Sequence, residues 1–130
     1  ADLVETFKDI RKASESRDKA TSDYKTMYDR MTNQEGPEAG WWRQTMLDSM
    51  PSPREANIGV NPGVAKDAAQ ALEKSQYGDM DRTKLVVKLL NNMADSFDTW
   101  QEIVDNARDN IEFNRFVDTH ANADEIISKF

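Results

Sequence analysis

The chain holds one histidine, His120, and no cysteine, so the side chains that most often activate nucleophiles or ligate transition metals are scarce. No Cys-His pair can form, and a Ser-His pair has a single imidazole to draw on. A carboxylate-bridged metal pair would want Glu-x-x-His on facing helices, and a zinc protease His-Glu-x-x-His; neither pattern occurs. Near a predicted helix end, His120 reads as a surface or capping residue. Asp79, Asp81 and Thr83 place oxygens at the first, third and fifth positions of a would-be EF-hand loop. Lys84 then stands where that loop needs Gly and Leu90 where it needs Glu, so helix capping accounts for these acids better. The stretch Gly59 to Gly63 lacks the lysine and the spacing of a phosphate-binding loop. The 24 Asp and Glu residues offer many pairs, none in surroundings that mark a perturbed titration. No metal and no cofactor is implied, and the expectation is a protein that is not an enzyme.

Two constellations point instead to binding. Asp95, Asp98, Glu102, Asp105, Asp109 and Glu112 step by three and four, so on one continuous helix they form an acidic ridge. At 100° per residue its centre lies about 150° from that of the stripe Phe97, Trp100, Val104 and Ile111. Solvated helices usually interleave both signs, and no base falls on this ridge; it is either a plain solvated face or a docking surface for a basic partner. The second constellation is a crowd of aromatic and methionine residues: Tyr24, Met27, Tyr28 and Met31, then Trp41, Trp42, Met46 and Met50. Core packing is one account. Trp, Tyr and Met are also the residues that anchor protein interfaces. Adjacent tryptophans on a helix point about 100° apart, so one of the two is expected at an interface. The expected partner-binding surface is Trp41, Trp42, Met46 and Met50, with Ile58 from the neighbouring loop.

The elements that must carry these residues are helical. Leu3, Phe7 and Ile10, then Tyr24, Met27, Tyr28 and Met31, recur at helical spacing and predict a helix over about residues 2–32, roughly 45 Å long at 1.5 Å per residue. Its middle, from Ala13 to Asp23, is small and polar. Residues 33–40 break the helix with two Gly and a Pro, and Trp41 to Met50 reads as a short helix. Residues 51–63, with three Pro and two Gly, form a second loop. Asn61 as cap and Pro62 at the first helical position start a helix that Gly78 ends near Tyr77. The longest element is predicted over about residues 80–118. Val86, Leu90, Met93, Phe97, Trp100, Val104, Ala107 and Ile111 form its apolar stripe, widened by Leu89 and Ile103, and with Phe97 and Trp100 on the buried face truncating either to Ala is expected to cost on the order of 3 kcal/mol or more. Residues 123–130 suggest a short terminal helix. Strand alternation is nearly absent. The predicted fold is all-α: a single helical domain over residues 1–130, built as an elongated hairpin or bundle of two long helices with two or three short ones.

Composition sets the function class. Of 130 residues, 24 are Leu, Ile, Val or Phe, a share of about 18%, just under the roughly 20% at which a charged chain starts to resemble a disordered one. A core this lean is often completed by a partner. The 17 Lys and Arg against 24 Asp and Glu leave a net charge of −7, which disfavours nucleic acid. No run approaches the ~18 apolar residues of a membrane span. Neither the missing cysteines nor the Ala1 start assigns a compartment. The expected function is a protein–protein interaction or structural module, with another protein or a second copy as partner. The alternative is a small helical enzyme or ligand carrier whose site lies in the Trp and Met cluster; a closed apolar cavity with convergent polar groups would favour it.

Overall fold

The computed structural model describes residues 3–33, 47–57 and 63–119, and all its regular structure is helical, with no strand among the described residues. Four α-helices are described: α1, Leu3–Asn33; α2, Val64–Lys74; α3, Asp81–Ala107; and α4, Ile111–Thr119. A single 3-10 turn covers Leu47–Ser49. The fold class expected from the periodicity is therefore the observed one. The predicted helix over residues 123–130 and most of the one over residues 41–50 lie outside the described residues.

Packing divides the chain into two compact units. The terminal unit comprises the described residues of Ala1–Asp18 and Ser96–Phe130, and the central unit those of Lys19–Asp95. In the terminal unit Phe7 and Ile10 of α1, Ala107 of α3, and Phe113 and Val117 of α4 form one buried cluster, flanked by Leu3, Ile103, Val104 and Phe116. The Phe7 ring sits 5.4 Å from Phe113 and 5.0 Å from Phe116, the latter edge-on at 72°. Such tilted pairs suit the ring quadrupoles and add about 0.5–1.5 kcal/mol beyond burial. The small residues Ala13 and Ser14 continue the buried face of α1.

In the central unit the buried residues include Tyr24 and Met31 from α1; Met50, Pro51 and Ala56 from the connecting segment; Ala65, Ala69 and Leu72 from α2; and Thr83, Val86, Val87, Leu90, Met93 and Ala94 from α3. The stripe of α3 thus runs as the three-and-four spacing predicts through its first half. Further on it thins. Phe97 and Trp100 are only half-buried, so truncating either removes less than the full transfer and cavity terms, and the large core penalty belongs to residues such as Leu90, which is 0% exposed. Solvated faces of α1 carry charge pairs: Arg11–Glu15 at 3.1 Å, and Lys19–Asp23 and Lys25–Asp29 at 3.0 Å. In each the base precedes the acid, the weaker orientation against the helix dipole, so each contributes a few tenths of a kcal/mol at most.

The long second helix is not continuous to residue 118. It stops at Ala107, and the N–H groups of Asp109 and Asn110 reach back only three residues, to the carbonyls of Asn106 at 3.1 Å and Ala107 at 3.0 Å. Asn110 then caps α4, its Oδ1 accepting the N–H groups of Glu112 at 2.9 Å and Phe113 at 3.2 Å. The side-chain amide of Asn114 donates to the Arg108 carbonyl across the break. A capping Asn satisfies donors that a continuing helix would have bonded to its own carbonyls, so no Gly or Pro is needed to end the helix here. One consequence is a change of phase: Ile111, expected on the buried stripe, is 70% exposed, and Phe113 is 0% exposed.

Two other boundaries differ from expectation. Helix α2 opens at Gly63, which supplies no side-chain cap, and the expected cap Asn61 and first-turn Pro62 lie outside the described residues. It closes at Lys74 rather than near Tyr77, because the Ser75 hydroxyl and N–H both donate to the Leu72 carbonyl, at 2.7 and 3.2 Å. The Ser75 Oγ in turn accepts the Tyr77 N–H at 3.3 Å. Gly78 bonds back to the Ser75 carbonyl at 3.0 Å. A Cβ there would collide with the Glu73 carbonyl oxygen and lie 3.1 Å from its carbon and 3.2 Å from the Ser75 oxygen. All of these are backbone atoms, which yield only by moving the turn. Gly78→Ala is therefore expected to lower stability by about 1–3 kcal/mol, read as a fall in the denaturation midpoint.

The segment after Met50 is more ordered than its prolines suggest. Ser52 and Glu55 form a reciprocal capping box, the Ser52 N–H donating to Glu55 Oε1 at 3.2 Å and the Glu55 N–H to Ser52 Oγ at 3.1 Å. Pro53 sits at the first position of the turn they enclose, where its missing N–H costs nothing. Ala56 closes it, donating to the Ser52 carbonyl at 2.8 Å. Tyr24, 1% exposed, fixes this segment to α1 through a hydrogen bond from its hydroxyl to the Pro51 carbonyl at 2.5 Å.

Candidate functional site

A groove of about 710 Å³ in the central unit is lined by α1 and α3. Met31 and Val86 form its floor, being 8% and 1% exposed. Met27 and Leu89 are half-buried along its walls. Leu85, 50% exposed, stands at its lip. The exposed polar lining is Asp23, Thr26, Arg30 and Arg82. Lys19 holds the Asp23 carboxylate at 3.0 Å.

Helix geometry explains how the groove arises. Relative to Val86 at 0°, Leu85 and Leu89 lie near −100° and −60°, and Leu90 and Val87 near +40° and +100°. The apolar arc of α3 is thus about 200° wide, well beyond the stripe of roughly 100° that one packed face requires. Val86, Val87 and Leu90 are buried, and Leu85 and Leu89 form the part left over. On α1, Met27, Arg30 and Met31 repeat at steps of three and one and supply the facing wall. Among the described lining residues nothing makes a proton-transfer or nucleophilic arrangement: they include no imidazole, and their one carboxylate, Asp23, is in an exposed ion pair. What such a surface can do is bury apolar side chains from another molecule while guanidinium groups meet that molecule's polar flank.

The expected sites fall differently. Trp41, Trp42, Met46 and Ile58 lie outside the described residues. Met50 is described and is 6% exposed, so it faces the interior of the central unit. Of the remaining crowd, Tyr24 and Met31 are buried, and Tyr28 is half-buried with its ring 6.2 Å from that of Tyr24. Of its described members, Met27 and Met31 line the groove.

All six acids of the expected ridge are exposed, but they do not lie on one continuous helix: Asp95, Asp98, Glu102 and Asp105 are on α3, and Asp109 and Glu112 lie beyond its end. Asp98, Glu102 and Asp105 share a line on α3 within the terminal unit, where Gln101 donates to Asp105 at 2.9 Å. Asp95 belongs to the central unit. Asp109 lies in the turn after α3 and Glu112 in the first turn of α4. The helix stop at Ala107 breaks the register on which the six-residue ridge depended.

Elsewhere in the terminal unit the Arg17 guanidinium stacks over the Trp100 ring at 4.5 Å, and Phe97 packs 5.8 Å from the same ring. The indole N–H of Trp100 is covered and finds no acceptor among the described residues. Asp81 to Leu90 is regular helix, so the Asp79, Asp81, Thr83 series cannot fold as an EF-hand loop. Among the described residues, no three Asp, Glu, His or Cys converge to hold a metal, and His120 lies outside them. No described helix is long and apolar enough to cross a membrane.

From sequence, Leu89 and Ile103 widen the apolar stripe of the long helix, whereas Leu85, Arg30 and Arg82 do not stand out. The over-wide apolar arc of α3 is the signal that also points to Leu85. The arginines become part of a site only once the facing sides of α1 and α3 are known. No protein-family model, curated protein or solved structure matches the chain.

Proposed function

We propose that the protein is a non-enzymatic interaction module that receives a helix from another protein in the groove between α1 and α3. The observation that carries this reading is Leu85. A leucine half exposed at the lip of an apolar groove, next to Met27 and Leu89, is the arrangement by which a helix-in-groove site offers anchor pockets. An open groove with exposed apolar lining favours binding of a chain over enclosure of a small ligand, which would want a closed cavity and convergent polar groups. The lean core fits the same reading, because a partner helix would add the apolar burial that the isolated chain is short of.

The test uses a displayed library of amphipathic helices of about 18 residues, with apolar anchors at i, i+3, i+4 and i+7, selected on the immobilised chain. Binders are expected, and Leu85→Gln is expected to weaken them about tenfold or more, since removing an anchor contact at the centre of an interface costs over 1 kcal/mol. Ile111→Gln, at a still more exposed isoleucine in the terminal unit, should leave binding unchanged. Both variants should melt close to the parent, as surface substitutions do. Binders indifferent to Leu85→Gln would rule this groove out as the docking site.

A further inference from the structure

The turn between α3 and α4 is made of residues that a helix would also accept. It consists of Arg108, Asp109 and Asn110, and neither Gly nor Pro occurs anywhere between Asp81 and Thr119. Asp and Asn are mediocre helix formers rather than breakers. The backbone donors are satisfied in either form. Glu112 and Phe113 donate to Asn110 Oδ1; in an unbroken helix the carbonyls of Arg108 and Asp109 would take those bonds. Asp109 and Asn110, which reach back three residues to Asn106 and Ala107, would reach back four.

Apolar contacts are what separate the two forms. On a joined helix Ile111 would lie about 40° from Ala107 and about 20° from Val104, back on the stripe that it leaves in the turned form, where it is 70% exposed. Phe113 would lie about 120° off that face and about 9 Å farther along the axis than Ala107, out of reach of Phe7. Within one chain the change exposes both Phe7 and Phe113, so the turn holds in the monomer. Between two chains it exposes neither. We infer that residues 108–110 are a hinge through which two copies of the protein exchange α4, each copy joining α3 to α4 and laying its α4 against Phe7 and Ile10 of the other. The rings that meet within one chain, Phe7 with Phe113 at 5.4 Å and with Phe116 at 5.0 Å, then meet between chains. Such an exchange keeps the contacts of the buried cluster and replaces a capped turn with helix. Against it stand the entropy of association and the repulsion between two chains of net charge −7, so protein concentration and ionic strength decide which form is populated.

The full chain, refolded from denaturant at rising concentration in moderate salt, provides the test, with its mass read by sedimentation equilibrium. A dimer that grows with concentration is expected. Asn110→Ala removes the cap and improves the propensity of the joined helix, so its dimer should be about tenfold or more tighter than the parent's. Ile111→Pro acts the other way. Proline suits the first residue of α4, where its missing N–H is one that no helical carbonyl accepts, but inside a joined helix it would clash with the Ala107 carbonyl. This variant should stay monomeric with the parent's helix content by circular dichroism. In a parent dimer with one copy isotope-labelled, nuclear Overhauser contacts between the Phe7 and Phe113 rings are expected to run from the labelled copy to the unlabelled one. Should Ile111→Pro fail to fold, that contact decides alone. Parent and Asn110→Ala chains that both stay monomeric at every concentration would overturn the inference. So would a dimer that survives Ile111→Pro, or one in which Phe7 meets Phe113 of its own copy.

Discussion

Phe113→Ala is expected to destabilise the protein by about 3–5 kcal/mol, and Ile111→Ala by less than about 0.5 kcal/mol, in chemical denaturation followed by circular dichroism. The two residues are two positions apart and both large and apolar, so composition and local propensity cannot separate them. The helix break separates them. On an unbroken helix Ile111 follows Ala107 by four and shares its buried face. With α3 stopped at Ala107 and α4 started by the Asn110 cap, the phase shifts and Phe113 enters the core beside Phe7 and Ile10 instead. Its ring is 0% exposed and contacts the Phe7 ring, so truncation loses the transfer term, the aromatic pair and the space the ring fills. Ile111, 70% exposed, has little to lose. Equal penalties at both positions, or a larger one at Ile111, would mean that the helix continues through residue 110.

The same comparison shows where sequence reading succeeds and where it stops. Phe7, Ile10, Val86, Leu90 and Met93 are legible because hydrophobic spacing and burial share one cause: a helix turns 100° per residue, and one side of it must leave water. The break at residues 108–110 is not legible from breakers, because Asn110 acts by offering its side-chain oxygen to Glu112 and Phe113. An Asn can cap a helix or sit on its exposed face at similar cost, and tertiary packing of Phe113 decides between the two. The Ser52–Glu55 capping box was legible, with Pro53 at its first position. It was obscured by the density of prolines around it, which suggests an irregular loop. The groove was half legible. The wide apolar arc of α3 can be counted off the sequence, but the fact that Arg30 and Arg82 line the same hollow depends on which sides of α1 and α3 face each other, and spacing along one helix carries no information about its neighbour.

Tyr24 is the second position where a large effect is expected. Tyr24→Ala should cost about 3–5 kcal/mol, since it empties a site that is 1% exposed, and Tyr24→Phe about 1–3 kcal/mol, because it removes only the hydroxyl and leaves the Pro51 carbonyl without its donor. The difference between the two separates packing from the hydrogen bond that ties the Ser52–Glu55 turn to α1. A pH dependence follows from the same contact. Burial first, and then the neighbouring Tyr28 and Glu55, push the Tyr24 hydroxyl well above its ordinary titration range. The folded state therefore holds this proton more tightly than the unfolded chain, whose tyrosine titrates near pH 10. Stability from this group is complete below about pH 10 and is lost as the pH rises towards the folded-state value, at up to about 1.4 kcal/mol per pH unit while the unfolded chain releases a proton that the folded one keeps. The direction agrees with the geometry, because a carbonyl can accept a hydrogen bond from a phenol and only repels a phenolate. In Tyr24→Phe the group that titrates is gone, so its denaturation midpoint should fall less steeply than the parent's between about pH 9 and pH 11. Parallel pH profiles for the two proteins would show that the Tyr24 hydroxyl is not held protonated by the fold, and the hydrogen bond to Pro51 would then contribute little to holding the connecting segment against α1.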